Sequence, residues 1–468
     1  MDKNKVLAKN TIILSIGQFA PKIISMIILP ILTKAFSTEE YGTYDLIISF
    51  ASLAIPLMTL LVQQAVFRFY IDEKSEETCK SYITSSIVFV IIISFCWFIL
   101  ASIFGIITNK YFSFIIIVFI LYFSESIYDL LGQIARGKEQ NIVFSAGVVI
   151  YSVINMILLI VTLQFNCINV NSAILIISLS YIIASIFLCY KIKIKKEFDI
   201  KKFSWTTIKK LLTYSIPIIP SSISLWIVNL SDRLLISSFL GTSYNGLYAA
   251  ASKIPNLFGT AFNVFNLAWT ELAARSIKER NSSKYYSELF DNLYSFLIGI
   301  MLILIALSPI IFDILIDNKF NEGYWQIPIL FIGVLLSSFM SFYGGLYIAL
   351  KKTKQVGISS LIGGILNVII NLATIKHWGL YAASVSTVVS FLAILMYRIL
   401  EINKFIKIKY NYSKILIGIV FLAIVSINFY INTDISFIVN LIIMLIYNIF
   451  LNKFVNFIKK ELISKIKK

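Results

Sequence analysis

The chain has 468 residues, of which 58% are hydrophobic, 15% aromatic and only 14% charged, with a formal net charge of +17. A soluble domain carries about 25% charged residues, so a soluble enzyme is excluded. The excess of Lys and Arg is read as retention on one side of a membrane rather than as a nucleic-acid surface.

Continuous apolar runs of 20 or more residues predict membrane-spanning helices, because lipid offers no partner for open backbone N–H and C=O groups. In chain order they fall at 11–33, 44–67, 82–108, 112–134, 141–164, 171–190, 213–239, 245–270, 287–315, 325–350, 355–375, 378–400, 414–431 and 434–452. The first run is too long for the core of a signal peptide and lacks a small-residue cleavage site, so it reads as a retained helix. The expectation is an all-α polytopic membrane protein of about 14 transmembrane helices. Cys96 and Cys189 fall inside apolar runs, which argues against a disulfide framework involving them, Cys79 or Cys167.

With the N-terminus in the cytoplasm, 34 of the 41 Lys and Arg face the cytoplasm and 4 face outside. The remaining three, Lys22, Arg233 and Lys253, lie inside helices. The split places both termini in the cytoplasm. Local signatures recur between the halves. Gly42-Thr43-Tyr44 and Gly246-Leu247-Tyr248 each open a helix, Asn109-Lys110 matches Asn318-Lys319, and Gln140 matches Gln355. Two parallel six-helix repeats around a central cavity, plus two C-terminal helices, account for the pattern. The expected organisation is an N-terminal bundle over 1–190, a basic cytoplasmic linker over 191–212, a second bundle over 213–400, and two further helices with a basic tail over 401–468.

A charge within a membrane helix is costly and faces a cavity or a partner. Polar residues form stripes at helical spacing: Gln18 and Lys22 on the first helix, Gln63 on the second, Asn229 and Arg233 on the seventh, and Lys253, Asn256 and Asn263 on the eighth. These eight residues are the candidate substrate-binding set. Hydrogen bonding between neighbouring helices is the competing explanation for the amides and hydroxyls. Glu125 and Asp129 lie four apart on the fourth helix, a spacing that suits proton or sodium coupling, with pairing to Arg136 as the alternative. Pro21, Pro30, Pro56, Pro217, Pro220 and Pro255 fall in the same four striped helices. Gly132 to Lys138 imitates a phosphate loop but has Glu139 where Ser or Thr would hold magnesium. The single histidine leaves no metal site or nucleophile triad to propose.

The stretch Asn10 to Gly42, with Leu32-Thr33-Lys34-Ala35-Phe36 and Glu40-Tyr41-Gly42, resembles the polysaccharide transporter family. So does Ser231-Asp232-Arg233-Leu234-Leu235 followed by Gly241 and Gly246-Leu247-Tyr248-Ala249-Ala250. These are the O-antigen and capsule repeat-unit flippases of the multidrug/oligosaccharidyl-lipid/polysaccharide exporter superfamily, and the resemblance runs over nearly the whole chain. It implies alternating access and a cargo of undecaprenyl-pyrophosphate-linked oligosaccharide, moved from the cytoplasmic to the outer leaflet of a bacterial cytoplasmic (inner) membrane. Membrane lipids and other surface-polysaccharide assembly proteins are the implied partners, with no nucleic acid and no cofactor beyond a coupling ion. Within the superfamily, an ion-coupled multidrug exporter and a murein-precursor flippase are the rivals. A membrane glycosyltransferase or glycan polymerase would carry a large outside loop or an acidic catalytic motif, and neither is visible.

Overall fold

The structure, a computed structural model, describes residues 3–107, 112–165, 167–276, 282–350 and 352–451. Among them the regular structure is helical. In order the α-helices are α1 (Lys3–Ala35), α2 (Thr38–Met58), α3 (Val62–Asp72), α4 (Glu76–Ile107), α5 (Phe112–Gly137), α6 (Asn141–Gln164), α7 (Val170–Lys191), the short α8 (Ile194–Glu197) and α9 (Trp205–Ser215). They continue with α10 (Ile219–Phe239), α11 (Thr242–Ser276), α12 (Ser282–Leu315), the short α13 (Asn321–Tyr324), α14 (Ile327–Ala349), α15 (Thr353–Trp378), α16 (Leu380–Ile402), α17 (Tyr412–Ile431) and α18 (Asp434–Ile446).

Ten of these are long and apolar enough to cross a membrane. Of the other four expected spans, α1, α10 and α11 carry the polar stripes, and α18 has only 13 helical residues before a π-helical turn over Tyr447–Leu451. Large apolar side chains such as Phe104, Ile186 and Ile435 are exposed, as lipid-facing positions require.

Helix starts follow local chemistry. Ser37 and Glu40 close a capping box at the head of α2, with the Ser37 N–H donating to Glu40 Oε2 at 2.8 Å and the Glu40 N–H to Ser37 Oγ at 3.2 Å. Asn169 with Ser172, and Thr433 with Ser436, do the same for α7 and α18. The expected second span is not continuous. Pro56 lacks the N–H that would bond one turn back. Thr59 spends its hydroxyl on the Ile55 carbonyl, and Leu60 and Leu61 turn left-handed at φ 51° and 55°, which separates α2 from α3.

The chain forms two compact units, residues 1–230 and 231–468. In the first, α5 packs on α2, α4 and α7, and α6 packs on α1 and α7. In the second, α14 packs on α11, α12 and α16, and α15 packs on α16. The contacts of α5 with α2, α4 and α7 recur as those of α14 with α11, α12 and α16.

The linker helix α9 belongs to the core of the first unit. Ile208 and Leu211 pack with Val62, Ile83 and Leu131. The stretch before α9 is tied to the start of α4 by Asp199 N–H to Thr84 Oγ1 at 3.1 Å, Ser204 N–H to Ser85 Oγ at 3.0 Å, and an ion pair of Lys202 with Glu77 at 2.8 Å. That carboxylate holds the Lys202 ammonium above its ordinary value. In the second unit, Trp269 stacks on Phe342 at 4.6 Å and donates to its carbonyl at 2.9 Å. Helix α17 docks on α12 through Tyr294, whose hydroxyl donates to the Ile415 carbonyl at 2.7 Å.

Candidate functional site

The first unit holds an acidic centre on α5. Glu125 and Asp129 are one turn apart and half-buried. The side chains of Gln63, Gln133 and Arg136 surround the Asp129 carboxylate. The Arg136 guanidinium donates to Gln133 Oε1 at 3.1 Å and stacks over the Phe67 ring at 4.5 Å. Glu125 lies beside Tyr181, whose ring stacks on Tyr151 at 4.2 Å with Tyr128 at 5.1 Å. Gln63 is 3% exposed and its Oε1 has no hydrogen-bond partner. Two carboxylates and an orphan amide oxygen in an aromatic cage form a place where a proton or small cation lowers the electrostatic cost of burial.

The second unit holds a different network, centred on Asp232 of α10, which is 4% exposed. Asn371 Nδ2 donates to Asp232 Oδ1 at 3.0 Å, Thr387 Oγ1 to Oδ2 at 2.6 Å, and the Tyr248 hydroxyl to Oδ2 at 3.3 Å. Ser231 donates to Asn367 Oδ1 at 2.9 Å, and Asn367 Nδ2 donates to Thr387 Oγ1 at 3.2 Å. Four helices, α10, α11, α15 and α16, thus meet on one carboxylate through neutral donors. Asn371 is fully buried and its Oδ1 is unpartnered, beside the carboxylate its own amide nitrogen contacts. Asn367 and Asn371 share one face of α15 at helical spacing. The reasoning that singled out the stripes on the other helices applies to them equally, and they were not among the expected site residues.

The remaining expected residues are placed as follows. Lys22 is exposed on α1, Arg233 and Lys253 are half-buried on α10 and α11, and Asn256 and Asn263 are exposed on α11. The side chains of Gln18 and Asn229 lie outside the described set. Lys22 belongs to the first unit and the other two cations to the second. Hydroxyls on these helices turn back on their own backbone, Ser25 to Lys22 O at 2.8 Å, Ser52 to Ser49 O at 2.7 Å and Thr260 to Asn256 O at 3.0 Å.

Arg398 lies in the last turns of α16 and is 3% exposed. Its guanidinium donates to Met340 O at 2.7 Å, Ser359 Oγ at 3.0 Å, Ser360 Oγ at 3.1 Å and Val356 O at 3.3 Å. It fastens α14, α15 and α16 together. The Gly132–Lys138 stretch is the helical end of α5 up to Gly137 and not a phosphate-cradling loop.

Among the described residues no group of three His, Cys, Asp or Glu side chains converges as a metal site. A single carboxylate with amide and hydroxyl oxygens suits a proton or a monovalent cation better than zinc or calcium, which want more charged ligands.

Comparison with known proteins agrees with this architecture. Two curated relatives are archaeal. An uncharacterized membrane protein of Methanocaldococcus jannaschii is 25% identical over 436 residues, covering 86% of this chain and 99% of that protein. A probable low-salt glycan biosynthesis flippase of Haloferax volcanii is 24% identical over 225 residues, 46% of this chain and 47% of that protein. Among solved structures, the lipid II flippase MurJ in an inward closed conformation superposes with a TM-score of 0.73 at 16% identity, over 97% of this chain and all of that one. An inward-facing multidrug resistance transporter of the MATE family superposes with a TM-score of 0.63 at 14% identity, over 83% of this chain and 94% of that one. Residues 7–269 match the family described as polysaccharide biosynthesis protein. The chain therefore belongs to that family, the polysaccharide transporters of the multidrug/oligosaccharidyl-lipid/polysaccharide exporter superfamily, and is a multi-pass membrane transporter rather than an enzyme.

Proposed function

We propose that the protein flips an undecaprenyl-pyrophosphate-linked oligosaccharide repeat unit from the cytoplasmic to the outer leaflet, by alternating access, for assembly of a surface polysaccharide. What supports this reading is that Lys22, Arg233 and Lys253 lie inside α1, α10 and α11, three of the helices that the sequence reads as spans. A cation inside a membrane helix faces a cavity or a partner, and a pyrophosphate is an anion that such a group recognises. Gln18, Asn229, Asn256 and Asn263 are the amide partners for sugar hydroxyls. Coupling to a proton or sodium ion is assigned to Glu125 and Asp129 in the first unit and to Asp232 in the second. The α17–α18 pair speaks for a lipid-linked cargo over a twelve-helix drug exporter. The membrane is the cytoplasmic one, with both termini inside.

The test is genetic. In a strain lacking the chromosomal copy, Arg233→Ala and Lys22→Ala should each abolish surface glycan while lipid-linked intermediate accumulates, with normal protein in the membrane. Arg233→Lys should retain part of the export, because charge survives without the bidentate fork. Wild-type export by both alanine variants rejects the anionic-cargo reading.

A further inference from the structure

Helix α9 presents two contrasting faces. Ile208, Leu211 and Ser215 are buried, and the helix packs on α3 and α4. The adjoining face is open, with Trp205 61% exposed and Ile216 47% exposed. Trp205, Ile208, Lys209, Leu212, Ile216 and Pro217 line a cleft of about 430 Å³. The residues recur a turn apart, so the cleft runs along the helix axis for roughly 16 Å. Its walls are apolar except for Thr213 and the exposed Lys209.

The two ends of the cleft differ. At the Pro217 end, a single 3₁₀ turn over Ile216–Ile218 leads straight into α10. At the Trp205 end stands the basic connection, where Lys193, Lys195, Lys196 and Lys201 are exposed. An apolar trough that begins at a membrane helix and ends among ammonium groups and an indole matches the profile of one lipid, chain at one end and charged headgroup at the other. The cluster of positive charge selects an anionic headgroup over a zwitterionic one.

We propose that this cleft is a binding site for an anionic phospholipid of the adjacent leaflet. An acyl chain lies along Leu212, Ile216 and Pro217, the phosphate meets the Lys209 ammonium, and the Trp205 indole sits one turn beyond it, at the level of the headgroup. The opposite face of α9 is locked into the core of the first unit by Ile208 and Leu211, and by the hydroxyl contact of Ser81 with Thr207 at 3.0 Å. An occupied cleft therefore holds the entry to α10 in register with that unit. The assignment rests on the membrane topology and not on the cargo, so transport is not among its readouts.

The full-length protein is reconstituted in nanodiscs of phosphatidylcholine containing the same mole fraction of either brominated phosphatidylglycerol or brominated phosphatidylcholine. The Trp205 signal is the fluorescence difference from Trp205→Phe. Brominated phosphatidylglycerol should quench that signal about threefold more than brominated phosphatidylcholine. Lys209→Gln should lower the ratio, and Lys209→Glu should bring it near one, with both variants eluting as the parent does on size exclusion. Equal quenching by the two lipids in the parent overturns the proposal, as does a preference that survives Lys209→Glu unchanged.

Discussion

Replacing Asp232 with alanine removes the acceptor shared by Asn371, Thr387 and Tyr248, at 3.0, 2.6 and 3.3 Å. Asn371 and Tyr248 are buried in the second unit, where water cannot replace the lost oxygen, and Thr387 is half-buried. Leaving a buried donor unsatisfied costs about 1–3 kcal/mol. The Tyr248 contact is long and counts least, and deleting the carboxylate recovers its own burial cost, so the net loss is about 2–4 kcal/mol. Asp232→Asn keeps one acceptor oxygen and the volume, and Thr387 can turn its hydroxyl to accept, so it should lose only about 1 kcal/mol. Thermal unfolding of the purified protein, followed by size-exclusion chromatography, should place Asp232→Ala clearly below Asp232→Asn, and both below the parent. Both variants should lose ion dependence of transport, because neither offers a charge to bind a proton or sodium ion. An Asp232→Ala midpoint equal to the parent's would refute the four-helix network as an energetic unit.

Replacing Glu125 with Gln and Asp129 with Asn together should abolish ion-dependent transport while leaving protein in the membrane, read by immunoblot and by transport across imposed ion gradients. Gly323→Ala should destabilise the second unit by about 1–3 kcal/mol, because the added Cβ would stand 2.5 Å from the Leu247 carbonyl oxygen, a backbone atom that cannot swing away. A melting curve unchanged by Gly323→Ala would contradict that packing. Arg398→Ala should lower the melting midpoint more than Arg398→Lys, since the guanidinium fastens three helices through four hydrogen bonds and an ammonium has only three donors. Reporter fusions at Lys468 and within 191–210 should read as inside and those near Asn169 and Lys319 as outside. An outside C-terminus would overturn the topology.

The parts of this architecture legible in the sequence are those written locally. Apolar run length placed the spans, although α2 begins at Thr38, behind the Ser37–Glu40 capping box, rather than at 44. The break between α2 and α3 was hidden because Thr59, Leu60 and Leu61 are unremarkable in composition, and only the left-handed turn at the two leucines reveals it. Long-range polar pairing was hidden for a different reason. Asp232 finds Asn371 and Thr387 across 139 and 155 residues, and Arg398 reaches back 58 residues to Met340. Helical spacing tells which residues share a face and not which face meets which. Gln63 illustrates the limit. Its position on a polar stripe was readable, but its placement against Asp129 follows from the fold of α3 onto α5.

The central claim concerns the cargo, and direct flipping tests it most closely. The purified protein is reconstituted into liposomes carrying a fluorescent undecaprenyl-pyrophosphate-linked saccharide in both leaflets, and a membrane-impermeant reductant is added outside. In protein-free vesicles only the outer-leaflet label should bleach. With the parent protein and an ion gradient, the inner-leaflet label should bleach as well, and Arg233→Ala should return the trace to the protein-free level. Bleaching confined to the outer leaflet with the parent protein, alongside gradient-driven efflux of a lipophilic cation from the same vesicles, would contradict the account and place the protein among the drug exporters.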